Sequence, residues 1–267
     1  RYPLVTGVQT CALPISHLVN RGRPTRARPY FDRDDYRRVA RNLREFAGTG
    51  HKGYSKMLRD LMWDYVLILA NTGMRTGEEA LKLKWNQIKR TRERDETSPN
   101  RELIDILKFS VVGKKRPRTL ICRDVGRNVS KPLERIQSRF PELKDLSDKE
   151  LFQRDEYVFR LENGDVPHHE RLCKTFKIFL EQNDLLKDTE GQERTLYSLR
   201  HTYATTQLRH GVSWDDLAIQ MGTSRVMLEK HYSKFKVEDR AADFSGLAVT
   251  RRRKAAKEKT EIGRAHV

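Results

Sequence analysis

Apolar positions recur at steps of three and four along most of this chain, and at steps of two over a short middle stretch. The stretch FDRDDYRRVARNLREF sets Tyr36, Val39, Leu43 and Phe46 on one helical face, with Asp32 as the N-cap. The spacing then predicts a helix from about Ser55 to Asn71, with Leu58, Leu61, Met62, Val66, Leu67 and Ala70 facing a core. Asn71, Thr72 and Gly73 end it, because glycine closes a helix in the left-handed conformation without a Cβ clash. A short third helix after Arg75 carries Ala80, Leu81 and Leu83. The period then changes. KWNQI, ELIDILKFSVV and RTLIC are rich in β-branched and apolar residues and predict a small antiparallel three-stranded sheet. GKKRP, Gly113 to Pro117, is the turn between the last two strands; one helix through 102–110 is the alternative reading.

Beyond Val125 the helical spacing returns near 126–139, 147–153 and 167–184. LYSLRHTYATTQLRHG reads as an amphipathic helix with Leu196, Leu199, Tyr203 and Leu208 on one side and Gly211 as its stop. WDDLAIQMG and SRVMLEKHYSKF follow as two short helices, and no internal repeat is visible. The expected fold class is α+β, mainly α-helical, with a small antiparallel three-stranded sheet.

Charge narrows the range of partners. The 267 residues hold 54 Lys and Arg against 37 Asp and Glu, a formal net charge of +17. Such an excess suits a polyanion, and nucleic acid is the commonest one. Cys11, Cys122 and Cys173 form no CxxC pair and no zinc spacing, a usage that fits a reducing cytoplasm. No P-loop is present, so neither a metal nor a nucleotide cofactor is expected. The longest apolar run, LMWDYVLILA, is short and interrupted by Asp64, so no membrane span is expected.

Three separated segments carry candidate chemistry: TGMRTGEEALKLKW, YSLRHTYAT and MGTSRVMLEKHYSKF. Together, in this order, they resemble the catalytic domain of the tyrosine recombinase, or phage-integrase, family. The family's first box, T-G-x-R-x-x-E-x-x-x-L-x-W, is met by Thr72, Gly73, Arg75, Glu78 and Trp85, with the leucine at Leu81 or Leu83. The second, H-x-L-R-H-T, is met by Leu199, Arg200, His201 and Thr202, with Tyr197 at its first position. The third, L-G-H-S followed by a tyrosine ten residues past the glycine, is met by Gly222, Thr223, Ser224 and Tyr232. The resemblance covers about residues 30 to 240.

The resemblance implies a site-specific recombinase or integrase that cuts and rejoins double-stranded DNA through a covalent 3′-phosphotyrosine, working as a homotetramer. The residue types suit that chemistry. A tyrosine hydroxyl can attack phosphorus and hold the strand while the partner 5′-hydroxyl arrives. Two guanidiniums clamp the non-bridging oxygens with forked donors and keep their charge. The resemblance gives these roles to Tyr232, Arg75 and Arg200, and makes Glu78 an orienting carboxylate. The proton for the leaving 5′-oxygen comes, in the family, from a lysine in a β-turn. Here Lys114 and Lys115 stand in that turn, and Lys114 is favoured because it directly follows the glycine. Two positions depart from the pattern. Tyr197 replaces a histidine, and a phenol with an ordinary pKa of about 10 is a poor base at neutral pH. Thr223 replaces a histidine or tryptophan and keeps one hydroxyl donor. His201 is a candidate helper. Two alternatives remain open: a degenerate relative that binds DNA without strand transfer, and a type IB topoisomerase-like relaxer. The expected location is the cytoplasm of a bacterium, at the nucleoid, with a bacterial or phage gene as the source.

The two ends differ from the rest. EIGRAHV, residues 261–267, and TCALPI, Thr10 to Ile15, can be encoded by opposite strands of one short DNA that resembles a sequencing adapter. Residues 1–15 and 261–267 are accordingly expected to be translated adapter. A linker over 16–31, a catalytic domain over 32–245 and a basic tail over 246–260 complete the expected organisation.

Overall fold

The computed structural model describes residues 28–50, 53–94, 102–113, 117–232 and Ser245. Helix α1, Arg33–Ala47, starts where expected: the Asp32 carboxylate accepts from the backbone N–H groups of Asp34 (2.9 Å) and Asp35 (2.7 Å). It buries Val39, Leu43 and Phe46 against α2, Tyr54–Thr72. Phe31, assigned on sequence to a linker, is 2% exposed and packs edge-on against Phe176. The ordered core therefore begins before α1.

Helix α2 is the hub. It packs on α1, on α4 (Ser130–Ser138), on α6 (His169–Gln182) and on α7 (Leu196–Arg209). It is buried almost all round, including Asp64, which the apolar run left unexplained. Its carboxylate accepts from Arg135 Nε (2.8 Å) and from Arg139 Nη2, clamping α4 to α2. Burial pushes the Asp64 carboxyl above its ordinary value although both arginines pull it down. The helix closes at Gly73, whose φ of 66° is left-handed. A Cβ there would lie 2.8 Å from Tyr203 Cε1, so only glycine fits the turn.

After the short α3, Glu78–Leu81, comes an antiparallel sheet in the order β1-β2-β3: Ile88–Arg94, Leu103–Val112 and Pro117–Ile121. Ile88 faces Phe109, and Phe109 faces Leu120, so one face of the sheet lies on the core. The expected first strand, KWNQI, is a correction. Trp85–Gln87 is a 3₁₀ turn around a fully buried Trp85, and the strand runs instead through the polar Ile88–Arg94. Only Ile88 of β1 is buried. Its partners are the backbone ladder and cross-strand ion pairs such as Arg92 with Asp105 (2.9 Å), which leave no apolar alternation to read. Helix is excluded over 102–110.

Helices α5 (Asp148–Leu151), α6 and α7 follow as expected. Helix α7 is not amphipathic, however: Ser198, Arg200, His201, Thr202 and Thr205 are buried together with its leucines. A smaller core of Tyr203, Leu208, Leu217, Met221 and Leu228 joins α7 to α8 (Trp214–Met221) and α9 (Arg225–Tyr232), with Tyr232 packed against it.

Candidate active site

Two glycine turns and two arginines build the site. Gly73 closes α2 and Gly222 closes α8, both in the left-handed conformation. Arg200, 3% exposed on α7, donates to both turns: Nη1 to the Gly73 carbonyl and Nη2 to the Met221 carbonyl (2.6 Å). Arg75 donates from Nη2 to the Gly222 carbonyl (2.7 Å). The three motif segments, far apart in sequence, thus meet through two guanidiniums. Burial lowers the Arg200 pKa from its ordinary value. A guanidinium starts so high that it keeps its charge.

The carboxylate that meets Arg75 is Glu79, not the expected Glu78. Glu79 accepts from the Arg75 backbone N–H (3.0 Å) and from Nη1 (2.8 Å). It also takes both Nη groups of Arg118, at 3.0 and 2.6 Å. Burial pushes the Glu79 carboxyl up, but the hydrogen bonds and charge of Arg118 and Arg75 outweigh it and hold it below its ordinary value. Glu78 stands at the rim, 86% exposed in its side chain, and pairs with Lys82 at 3.4 Å. Arg75 lies ahead of the turn that opens α3, and the Glu79 carboxylate folds back onto its backbone N–H. The signal lay in the motif: counted back from Leu83 and Trp85, E-x-x-x-L-x-W falls on Glu79.

Arg118 stands outside the three sequence motifs. It lies on β3, and its Nε donates to the Gln220 carbonyl (3.2 Å), so it ties the sheet to the Gly222 turn. A Cβ on Gly222 would lie 2.9 Å from that guanidinium. The Gln220 side chain extends β3, accepting from Ile121 N (3.1 Å) and donating to the Ile121 carbonyl (2.7 Å). Nothing in a lone arginine or glutamine announces such a bridge.

A cleft of about 700 Å³ opens at this point, lined by Arg75, Gly77, Val112, Gly113 and Tyr197, with Glu78 on its edge. Lys114 and Lys115 lie outside the described residues; Gly113, just before them, borders the cleft. Thr223 follows Gly222 directly in the turn that Arg75 holds, and its backbone N–H donates to the Ala218 carbonyl (3.0 Å). Tyr197 is part-exposed and packs T-shaped with His201, with centroids 5.1 Å apart.

Tyr232 ends α9, half-buried, and its hydroxyl meets Nδ1 of His201. Burial raises its pKa well above the ordinary phenol value, against the pull of the Arg200 charge. Burial likewise lowers His201 to about 3, with Arg28, His231 and Arg200 adding positive charge. Arg28 precedes α1, within the stretch expected to be a linker, yet its charge acts on Tyr232, His201 and His231. Among the described residues no group of three or more His, Cys, Asp or Glu is arranged to hold a metal, and no helix is long and apolar enough to cross a membrane.

No protein-family profile matches the chain, and no curated protein matches it. Solved structures do. One is the XerH site-specific recombinase bound to difH substrate, with a TM-score of 0.53 at 15% identity, over 81% of this chain and 53% of that one. Another is the XerA recombinase, with a TM-score of 0.53 at 16% identity, over 88% and 68%. A third is the Tn1549 transposon integrase in complex with transposon right end DNA, with a TM-score of 0.51 at 15% identity, over 89% and 71%. The chain spans about half the length of the XerH protein. At these identities the likeness is one of fold, and the mainly helical domain with its three-stranded antiparallel sheet is the fold of the tyrosine recombinase catalytic domain.

Proposed function

We propose that this chain carries the catalytic domain of a site-specific DNA recombinase or integrase, in which Tyr232 forms a covalent 3′-phosphotyrosine. The observation that carries the reading is that Arg200 and Arg75 tie the three distant motif segments together at the Gly73 and Gly222 turns, with Arg75 lining an open cleft, while Tyr232 contacts His201, the neighbour of Arg200 on α7. A guanidinium has five N–H donors. The carbonyls of Gly73 and Met221 each take one from Arg200, which leaves donors and the full charge for a phosphate. Preorganised donors of this kind are worth roughly 10² to 10³ in rate each. In the reaction, Tyr232 Oη bonds to phosphorus and the P–O5′ bond breaks. The leaving oxygen takes a proton from the β2–β3 turn, where Lys114 is the favoured donor. Double-stranded DNA is the partner in this reading, and four copies on two sites are the working assembly.

The test is covalent trapping. A random-sequence pool of nicked duplexes, whose cleaved end diffuses away, is incubated with the chain, and protein–DNA adducts are resolved under denaturing conditions. The expected result is an adduct with the wild-type chain and none with Tyr232→Phe, while gel-shift affinity stays nearly unchanged. An adduct that persists in Tyr232→Phe overturns the nucleophile. A gel shift with no wild-type adduct favours the DNA-binding relative without strand transfer, which the replacement of histidine by Tyr197 makes the second reading.

A further inference from the structure

The group that touches the nucleophile governs how the reaction starts. Tyr232 Oη meets Nδ1 of His201, the residue directly after Arg200 on α7. His201 is 5% exposed, and the two rings lie 5.5 Å apart at 50°. Tyr197, which occupies the box's usual histidine position, lines the cleft and packs T-shaped with His201. We infer that His201 holds the Tyr232 hydroxyl for attack and receives its proton as the oxygen–phosphorus bond forms. This inference rests on the strand-transfer reading above.

The electrostatics fit a neutral acceptor. Burial first, then the charges of Arg28, His231 and Arg200, hold His201 at about 3, so its imidazole is uncharged at neutral pH. With the ring proton on Nε2, Nδ1 presents a lone pair to the hydroxyl. Burial also raises Tyr232, so in the unbound protein the proton stays on oxygen and the hydrogen bond fixes its direction. Transfer belongs to the reaction path. As Oη bonds phosphorus it becomes a protonated ester oxygen, a far stronger acid than imidazolium. The Oη–H bond breaks toward Nδ1, the Oη–P bond forms, and the P–O5′ bond breaks as the 5′-oxygen takes its proton from the β2–β3 turn. The negative phosphodiester offsets the new imidazolium. Rejoining reverses the path, and Nδ1 returns the proton to Tyr232.

The experiment uses the full chain and a duplex recovered from the random pool by wild-type trapping. Each duplex is made with an oxygen and with a sulfur leaving atom at the 5′ position. A thiolate leaves without a proton, so it rescues a defect on the leaving-group side but not one at the nucleophile. His201→Phe is expected to slow trapping about 10²-fold or more with both leaving atoms, with DNA affinity unchanged. His201→Asn keeps an acceptor near the Nδ1 position and is expected to recover about tenfold of that loss. If His201→Phe fails to fold, His201→Gln, whose acceptor sits nearer the Nε2 position, is compared with His201→Asn and is expected to trap more slowly. Trapping by His201→Phe at the wild-type rate, full rescue by the thiolate, or an Asn variant no faster than the Phe or Gln variant overturns the inference. The absence of any wild-type adduct is the separate failure of strand transfer itself.

Discussion

At the scale of single residues, two adjacent glutamates have opposite surroundings. Glu79 is buried between Arg75 and Arg118, whereas Glu78 is exposed beside Lys82. Removing a buried carboxylate leaves two guanidiniums uncompensated, so Glu79→Gln is expected to lower the unfolding free energy by about 2–3 kcal/mol. Glu78→Gln should cost less than about 0.5 kcal/mol. Urea denaturation at pH 7 measures both, and equal losses would remove the distinction. The sign with pH follows from the lowered Glu79 pKa. Its contribution is complete above the ordinary carboxylate value of 4.5 and is lost as pH falls through the lower folded value. The grouping of the segments that carry Arg75, Arg200 and Tyr232 was legible in the sequence because their motifs fix residue type and order. Glu79 was legible only from the tryptophan end of its motif. Arg118 and Gln220 were not, since their role exists only where β3 meets α8.

At the scale of elements, helix boundaries followed from caps that act locally. Asp32 starts α1 and Gly73 ends α2 by hydrogen bonds and dihedrals that need no distant partner. Strand β1 obeyed no such local rule, because its stability comes from β2 across the ladder. The placement of α4 is likewise a tertiary matter: Asp64, buried on α2, holds Arg135 and Arg139. Asp64→Ala is expected to cost about 2–3 kcal/mol, below the 3–5 kcal/mol of a fully buried pair, because both arginines keep some contact with water. Urea unfolding checks this. A loss under about 1 kcal/mol would show that apolar packing alone seats α4.

At the scale of the whole molecule, the net charge of +17 gives the proposed DNA binding a measurable signature. Lysines and arginines that neutralise phosphates release counterions, so affinity should fall steeply with salt, by about 10³-fold between 50 and 200 mM if six phosphates are contacted. Fluorescence anisotropy over that range measures the slope, and a flat response would refute the electrostatic account. The sequence by itself determined the helical class, the middle sheet, the net basic charge and the order of three motifs, because periodicity, caps and residue type act over a few positions. It did not determine which glutamate meets Arg75, that α7 is buried on its polar side as well, or that His201 lies on Tyr232. Those depend on α2, α7, α8 and α9 packing together, so that turns more than a hundred residues apart share two guanidiniums. Only the closed fold brings such donors and acceptors within bonding distance.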